Sequence, residues 1–324
     1  MQSETSRGTA YGVAAFFLWG AFPLYFRALD RSGAVEIVLH RVVWSLLVCL
    51  ALLAATHAFR EFRTVLRDRR QVGVLGVAAV LIALNWGIYV YAVNSDQVVE
   101  ASLGYFINPL VMVALGVVVL GEQLRRLQWV AVGVGALAVA VLTIAYGHPP
   151  TIALSLAASF GLYGLIKRRA GVQVGAAAGL ATETLVLAPF ALIALLVIGA
   201  SGDSTFTADA PWQALLLMSA GVVTAAPLLL FASAARRLPL ATIGLIQYLT
   251  PVLQLLCGVL LLDEHMPLER WIGFGMVWVA LVIFTFDSIA SARRNHASHH
   301  ADAVDGATTA GVDPVSATPI GSQR

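Results

Sequence analysis

The stretch ASLGYFINPLVMVALGVVVLGEQLRRLQWVAVGVG (residues 101–135) decides the fold, because it has a second copy in the same chain. The copy is IGLIQYLTPVLQLLCGVLLLDEHMPLERWIGFGMV (residues 243–277), and the two align without a gap at an offset of 142 residues. The landmarks that coincide are Pro109 with Pro251, Gly116 with Gly258, Glu122 with Glu264, Trp129 with Trp271 and Gly133 with Gly275. A hydrophobic composition alone does not place five such residues in register twice. The chain is therefore predicted to be a tandem duplication.

The composition indicates a membrane protein. Apolar and aromatic residues make up 59% of the 324 residues, charged residues make up 12%, and the mean hydropathy is +0.83. An ordinary soluble domain carries about 25% charged residues. The charges are also clustered between long apolar runs, as a protein with several spanning helices requires. The lipid bilayer is thus the first predicted partner.

Ten apolar runs can be counted, each near the roughly 20 residues that cross the hydrocarbon core. They are 8–26, 34–56, 72–93, 101–120, 127–145, 151–166, 176–198, 212–234, 241–262 and 269–289. A spanning chain must satisfy its backbone hydrogen bonds internally, and no alternating ten-residue pattern indicates a barrel. The predicted fold class is an all-α membrane protein with ten transmembrane helices.

The basic residues predict the orientation of these helices. With the N-terminus in the cytoplasm, 16 of the 20 basic residues fall in cytoplasmic segments, as the positive-inside rule requires. Five spans per half is an odd number, so the two halves are predicted to be inverted repeats. We expect one five-helix repeat at residues 1–147, a second at 148–290 and a disordered cytoplasmic tail at 291–324.

Charges inside apolar runs are expensive, and two of them occupy equivalent positions. Arg41 and Glu183 are separated by the same 142 residues, each several residues into its run. They either brace the bundle and snorkel to the headgroups, or face a central cavity and take part in substrate binding or proton coupling. Glu100 is the predicted partner of Arg41. His40 is a further coupling candidate, with a buried, hydrogen-bonded role as its alternative.

Two equivalent prolines are predicted to kink their helices. Pro109 and Pro251 each remove a backbone donor, which is tolerated against protein or a wet cavity. Polar side chains precede both prolines on the same face, and they either line a pathway or join helices by hydrogen bonds. These polar residues are Asn108, Thr250, Tyr105 and Gln247.

Four more side chains in the runs are candidates for a substrate pathway, with ordinary helix packing as the alternative. They are Trp19, Asn85, Tyr89 and Tyr163. Cys49 and Cys257 lie alone in apolar runs and are interpreted as packing residues.

The sequence lacks the motifs of several common enzymatic activities. Lys167 is the only lysine and lies outside any GxxxxGK loop, and the sequence has no HExxH or GxSxG segment. We therefore expect no enzyme, no metal, no cofactor and no nucleic-acid partner.

Five fragments together resemble a known transporter family. They are LHRVVWS at Leu39, LNWGIYVYAVN at Leu84, EASLGYFINPL at Glu100, GEQLRRLQW at Gly121 and PLATIGLIQYLTPVL at Pro239. They are similar to the EamA branch of the drug/metabolite transporter superfamily, over about residues 8–290. The resemblance implies ten helices in two inverted repeats in the bacterial inner membrane, and a link to chloramphenicol sensitivity or resistance.

The resemblance also implies where the cavity lies. In such transporters helices one, three, four, six, eight and nine surround it, which favours Trp19, Asn85, Tyr89, Tyr105, Asn108, Tyr163 and Gln247 as lining residues. Arg41 and Glu183 would then lie closer to the periphery. The predicted function is a secondary transporter that works by alternating access, as a monomer or weak homodimer, and exports a small amphiphilic metabolite or drug. A membrane scaffold or sensor without transport is the alternative.

Overall fold

The computed structural model describes residues 2–121, 123–169, 174–235, 237–238, 242–243 and 246–287. The described part is built from helices, with no strand among these residues. The predicted tail at 291–324 and Glu122 lie outside the described residues. The helices are α1 (Gln2–Gly20), α2 (Phe22–Arg27), α3 (Ala34–Ala55), α4 (Phe59–Arg67), α5 (Arg69–Asn94), α6 (Val98–Leu120), α7 (Arg126–Tyr146), α8 (Thr151–Arg169), α9 (Ala176–Ser201), α10 (Pro211–Ala235), α11 (Leu249–Leu256) and α12 (Leu268–Asp287).

Within the described ranges, eight helical segments are long and apolar enough to cross a membrane, and two shorter apolar helices accompany them. The shorter ones, Thr151–Lys167 and Leu249–Leu261, fall on the sixth and ninth apolar runs of the sequence. The other eight fall on the remaining runs. The all-helical membrane class is therefore confirmed, and the runs give the positions of the helices.

The ninth run is irregular. After a turn at Gln247 and Tyr248, α11 begins at Leu249 and passes into a π-helix at Cys257–Leu261. A π-helical turn widens the backbone and is often found at functional positions. Its counterpart in the first half, α6, is an α-helix throughout its length.

Helix α4 is a feature that the sequence analysis missed. Phe62 and Val65 are buried on one side, while Arg60, Arg63 and Arg67 are exposed. A short amphipathic helix with a basic face is typical of a helix that lies in the membrane interface. The spacing of the apolar residues in FREFRTVLR is the sequence signal that could have predicted this helix.

The two halves pack against each other through equivalent pairs of helices. Helix α1 packs against α10 and α11, and its counterpart α8 packs against α5 and α6. Helix α3 packs against α9 and α10, and its counterpart α9 packs against α3 and α5. Each of these contacts between the halves has an equivalent contact between the counterparts of the same helices. The contact of α1 with α10, for example, is equivalent to that of α8 with α5. The core of the bundle is therefore the interface between the two copies.

Polar contacts near the helix ends define the two ends of the bundle. At one end, called the Glu100 end, Arg27 Nη1 lies 2.7 Å from Asp96 Oδ1, and Glu264 reaches the start of α6. At the other end, called the Glu4 end, Arg237 Nε lies 3.0 Å from Glu4 Oε2. The contacts of Glu264 with α6 and of Arg237 with Glu4 join the two halves, one at each end, whereas Arg27 and Asp96 both belong to the first half.

Candidate functional site

Asn85 joins the two halves through α5 and α8. Its Nδ2 donates hydrogen bonds to the carbonyl oxygen of Leu156 at 3.1 Å and to Ser159 Oγ at 3.0 Å. The side chain is buried, and the α5–α8 contact crosses from the first copy to the second. Asn85 thus has the helix-joining role that the sequence analysis left open beside the pathway role.

The contact between α1 and α11 also depends on side chains that donate hydrogen bonds to backbone carbonyls. Thr250 Oγ1 donates to the carbonyl oxygen of Phe16 at 2.8 Å, and Gln254 Nε2 donates to that of Trp19 at 3.2 Å. The Trp19 ring is half-buried and lies 5.9 Å from the ring of Phe231 on α10. The predicted pathway residue Trp19 therefore lies where three helices from both halves meet.

Tyr89 and Tyr105 form one aromatic group. Their ring centroids are 5.8 Å apart in a T-shaped arrangement, and Tyr89 makes a similar contact with Phe26 at 6.0 Å. The hydroxyl of Tyr89 is buried and makes no hydrogen bond within 3.5 Å among the described residues, and the Gln254 side chain lies near it. A buried polar atom in this condition needs an explanation, and a ligand or a water molecule is the usual one.

Arg41 lies beside this group, inside the bundle rather than at its periphery. It is 4% exposed, and its Nε donates to Thr224 Oγ1 on α10 at 2.8 Å. The guanidinium carbon is 3.9 Å from the ring centroid of Trp86 and 5.5 Å from those of Phe22 and Phe26. The position drawn from the family resemblance, close to the periphery, is not the environment that the structure shows.

The predicted pairing of Arg41 with Glu100 is wrong. Glu100 Oε1 instead accepts hydrogen bonds from the backbone N–H groups of Ile152 at 2.9 Å and Ala153 at 3.4 Å. These groups belong to the first turn of α8, where free N–H groups and the helix dipole favour a carboxylate. The N–H groups at the start of α8 bind the Glu100 carboxylate instead of Arg41. The sequence gives no sign that this helix start lies beside Glu100.

Glu183, the counterpart of Arg41, has a complete set of partners. Lys167 Nζ lies 2.7 Å from Glu183 Oε1 and 2.9 Å from the hydroxyl of Tyr163. The Tyr163 hydroxyl is also 3.4 Å from both carboxylate oxygens. Tyr163, predicted as a lining residue, is thus part of a buried ion-pair cluster between α8 and α9.

His40 is buried next to Arg41 along the chain. Its Nδ1 accepts a hydrogen bond from the Trp44 indole at 3.2 Å, and its ring lies 4.8 Å from that of Phe206. Its Nε2 has no hydrogen-bond partner among the described residues. The buried, hydrogen-bonded role accounts for one ring nitrogen and leaves the other available.

The two equivalent prolines have different surroundings. Pro109 lies inside the continuous helix α6, whereas Pro251 is the third residue of α11, a position where proline is well tolerated. Gln247 is exposed in the turn before α11, and its carbonyl accepts from the Thr250 N–H at 3.2 Å. Asn108 is half-buried, and its Oδ1 has no partner in the described part of the chain.

A cavity of about 370 Å³ opens at the Glu100 end of the bundle. Glu264, on its wall, accepts hydrogen bonds from the N–H groups of Val98 at 2.6 Å and Val99 at 2.8 Å. Burial raises the pKa of the Glu264 carboxyl above its ordinary value, and the two N–H groups partly offset this. The cavity is lined by Ser95, Asp96, Gln97, Glu100, His148, Glu264 and Arg270.

The fold and these polar contacts define a helical protein with membrane-spanning segments, and comparison with known proteins places it in a transporter family. The EamA-like transporter family matches twice, at residues 6–144 and 150–286. The chain therefore belongs to this family, and each match covers one of the two copies. The resemblance stated from the sequence fragments is confirmed.

Among its relatives, the chain resembles the RarD proteins in particular. Protein RarD of Streptomyces exfoliatus is 52% identical over 296 residues, which cover 91% of this chain and 93% of that protein. A Pseudomonas aeruginosa protein named chloramphenicol-sensitive protein RarD is 31% identical over 90% of this chain and 97% of its own length. A second Pseudomonas aeruginosa protein, an uncharacterized transporter, is 44% identical over 89% and 96%.

One solved crystal structure shares the fold. It superposes with a TM-score of 0.57 at 19% identity, and the match covers 86% of this chain and 96% of the other. At that identity the likeness supports the helical architecture alone. The family and the relatives together make this chain a multi-pass bacterial membrane protein of the transporter class.

Proposed function

We propose that the protein is a secondary transporter in which two inverted five-helix repeats alternate between two orientations around a site at their interface. Ten spanning helices result when the two shorter helices, Thr151–Lys167 and Leu249–Leu261, are counted with the eight long ones. A pseudo-twofold relation between the halves produces such equivalent pairs of helix contacts. The repeats are assigned to residues 1–147 and 148–290.

One observation carries this proposal: the polar side chains inside the spans lie where the two copies meet. Asn85 bonds from the first copy to the second, Gln254 and Thr250 bond from the second to the first, and Arg41 bonds to Thr224 across the same interface. Hydrogen bonds of this kind can also join the helices of a scaffold. The spans hold in addition buried polar atoms with no partner among the described residues, His40 Nε2 and Asn108 Oδ1, and a scaffold has no need of these. A transporter needs them to bind solute between moving halves.

The difference between α6 and α11 supports movement. They derive from the same repeated sequence, yet α6 is regular and α11 follows a turn and ends in a π-helix. In inverted repeats, two conformations of one sequence can exchange between the halves, and that exchange opens the opposite side. Pro109 and Pro251 are the proposed hinges.

The Glu4 end is proposed to face the cytoplasm, with both termini there. The clusters of basic residues flank the helices at this end, including the exposed face of α4. Reporters fused after Arg70 and after Arg237 should then be cytoplasmic, and a reporter fused after Gly202 should be external. A swapped signal at any of the three would refute the inverted arrangement.

The driving force is proposed to be a proton or solute gradient, since the sequence has no ATP-binding loop. The proposed cargo is a small amphiphilic metabolite or drug, moved outward. The printed name of the Pseudomonas relative associates that protein with chloramphenicol sensitivity. Chloramphenicol is therefore one compound to test, and the protein is proposed to act as a monomer or weak homodimer.

Counterflow in sealed vesicles tests the proposal directly. Purified protein should exchange external labelled solute against internal unlabelled solute, whereas a scaffold or sensor should exchange none. A thermal-shift screen of metabolites and drugs selects the solutes. Stabilisation by a true substrate should be lost in Asn108→Ala or Gln247→Ala, and variants that respond like the parent protein would remove these residues from the site.

A further inference from the structure

Arg41 is the buried cation for which the described part of the chain provides no anion. None of the ion pairs among the described residues includes it. The other buried charged side chains are all acids, and each of them is held elsewhere. Glu36 accepts from Ser204 and Thr205, Glu100 from the start of α8, Glu183 from Lys167 and Asp287 from Arg125.

The surroundings of the guanidinium are aromatic rings and one hydroxyl, and they leave an edge of the cation available. The guanidinium carbon lies 3.9 Å from the centroid of the Trp86 ring, with Phe22 and Phe26 farther away, so the cation contacts aromatic rings. Thr224 takes the Nε–H. A guanidinium has five N–H donors in a planar fork, so the four on Nη1 and Nη2 have no acceptor among the described residues.

Such an edge matches one chemical group especially well. A carboxylate accepts two parallel hydrogen bonds from a guanidinium, and the pair is both short and specific. The buried hydroxyl of Tyr89, which makes no hydrogen bond within 3.5 Å, provides a further donor nearby, because Tyr89 follows Trp86 by three residues on the same face of α5. A single positive charge in a low-dielectric region neutralises a monoanion, whereas a dianion would leave a net charge there.

The location also fits a substrate. Arg41 belongs to the first copy and its partner Thr224 to the second, so an anion at the guanidinium would bind between the two halves. The aromatic rings around the cation would contact an apolar body attached to that anion. Resting on the proposed transport function, we propose that Arg41 binds the carboxylate of the transported solute, an organic monocarboxylate with an apolar body.

Acids paired with their own amides test this inference, because each pair differs in charge and hardly in shape. The probes are benzoate, phenylacetate and hexanoate, each compared with its primary amide in thermal-shift titrations of the full-length purified protein. We expect acids to stabilise the wild type and amides to do so much less. Arg41→Gln should weaken acid binding by about 30-fold or more, since it truncates a buried charge pair.

Two further variants separate binding from folding. Arg63→Gln makes the same change on the exposed face of α4 and should leave the acid response unchanged. Arg41→Lys keeps the charge but loses the fork, so it should retain the preference for acids at reduced affinity, and it serves if Arg41→Gln does not fold. If Arg41 were only a brace, Arg41→Gln would lower the unfolding temperature of the ligand-free protein and leave the acid response intact.

The outcomes distinguish this inference from the proposed function. Equal stabilisation by acids and amides, no stabilisation by any acid, or an unchanged acid response in Arg41→Gln overturns the Arg41 inference. Counterflow of an amide without its acid would leave transport standing and remove the carboxylate assignment. Acid binding that depends on Arg41 without any counterflow would support the site and overturn the transport proposal.

Discussion

The close approach of α3 and α10 gives the sharpest stability prediction. A Cβ added at Gly221 would lie 2.4 Å from the carbonyl oxygen of Trp44, whereas ordinary contacts begin at 3.4 Å. Gly221→Ala must therefore push the two helices apart by about 1 Å. The obstacle is backbone, so no side-chain rotation can relieve it.

That separation acts on a second interaction. Thr224 follows Gly221 by three residues on the same face of α10, and its hydroxyl accepts from Arg41 at 2.8 Å. Lengthening this distance by about 1 Å removes the hydrogen bond. Overpacking costs about 1–3 kcal/mol and the lost bond about 1–2 kcal/mol, together about 2–5 kcal/mol. Helix propensity returns at most about 1 kcal/mol.

The control is Gly87→Ala, the same substitution inside α5. Apart from the backbone of α5 itself, no atom of the described residues lies within 4 Å of the added Cβ there, so the change should be neutral or stabilising by up to about 1 kcal/mol. The free energy of unfolding can be measured by titrating the protein from mild detergent into SDS. A Gly221→Ala protein as stable as the Gly87→Ala protein would refute the close approach of α3 and α10.

Three further predictions concern buried polar groups. Lys167→Met should destabilise the protein more than Glu183→Gln does, because it leaves the Glu183 carboxylate, which is 3% exposed, without its cation. The expected cost is about 3 kcal/mol. The double variant should recover most of this loss in the same SDS titration. Asn85→Leu removes two hydrogen bonds between halves and should cost about 1 kcal/mol, measured in the same way. Burial raises the folded pKa of Glu264, so the stability it contributes is present below its ordinary value of 4.5 and is lost as the pH rises through the folded pKa. Glu264→Gln should flatten that part of the profile of unfolding temperature against pH, and an unchanged profile would contradict the assignment.

The helices could be predicted from the sequence because hydrophobic length is a local property. Each apolar run contains a helix among the described residues, and even the short sixth run at Thr151 reappears as a short helix. The interfacial helix α4 was missed because its apolar residues, Phe62 and Val65, are too few to form a run. The π-helix after α11 gives no such signal, since Cys257–Leu261 reads like any other apolar segment.

The partners of charged residues could not be predicted in the same way. Glu100 was assigned to Arg41 from their proximity to the same membrane face, but the start of α8 lies closer. Which helix start approaches a given carboxylate depends on the packing of segments that are 52 residues apart in sequence. Glu264 illustrates the same point, because its position in the repeat places it near the end of a span, whereas its partners at the start of α6 are set by packing.

Arg41 and Glu183 show why the duplication predicts position but not chemistry. Each lies seven residues after the start of its helix, so both copies of the repeat keep the same register. Glu183 meets Lys167 from α8, while Arg41 meets the Trp86 ring from α5 and the Thr224 hydroxyl from α10. The charge of a residue is therefore satisfied by neighbours that diverged after the copies separated. A paired charge in one half and an unpaired charge in the other is an asymmetry that the repeat does not require, and this asymmetry places the proposed solute contact at Arg41 rather than at its counterpart.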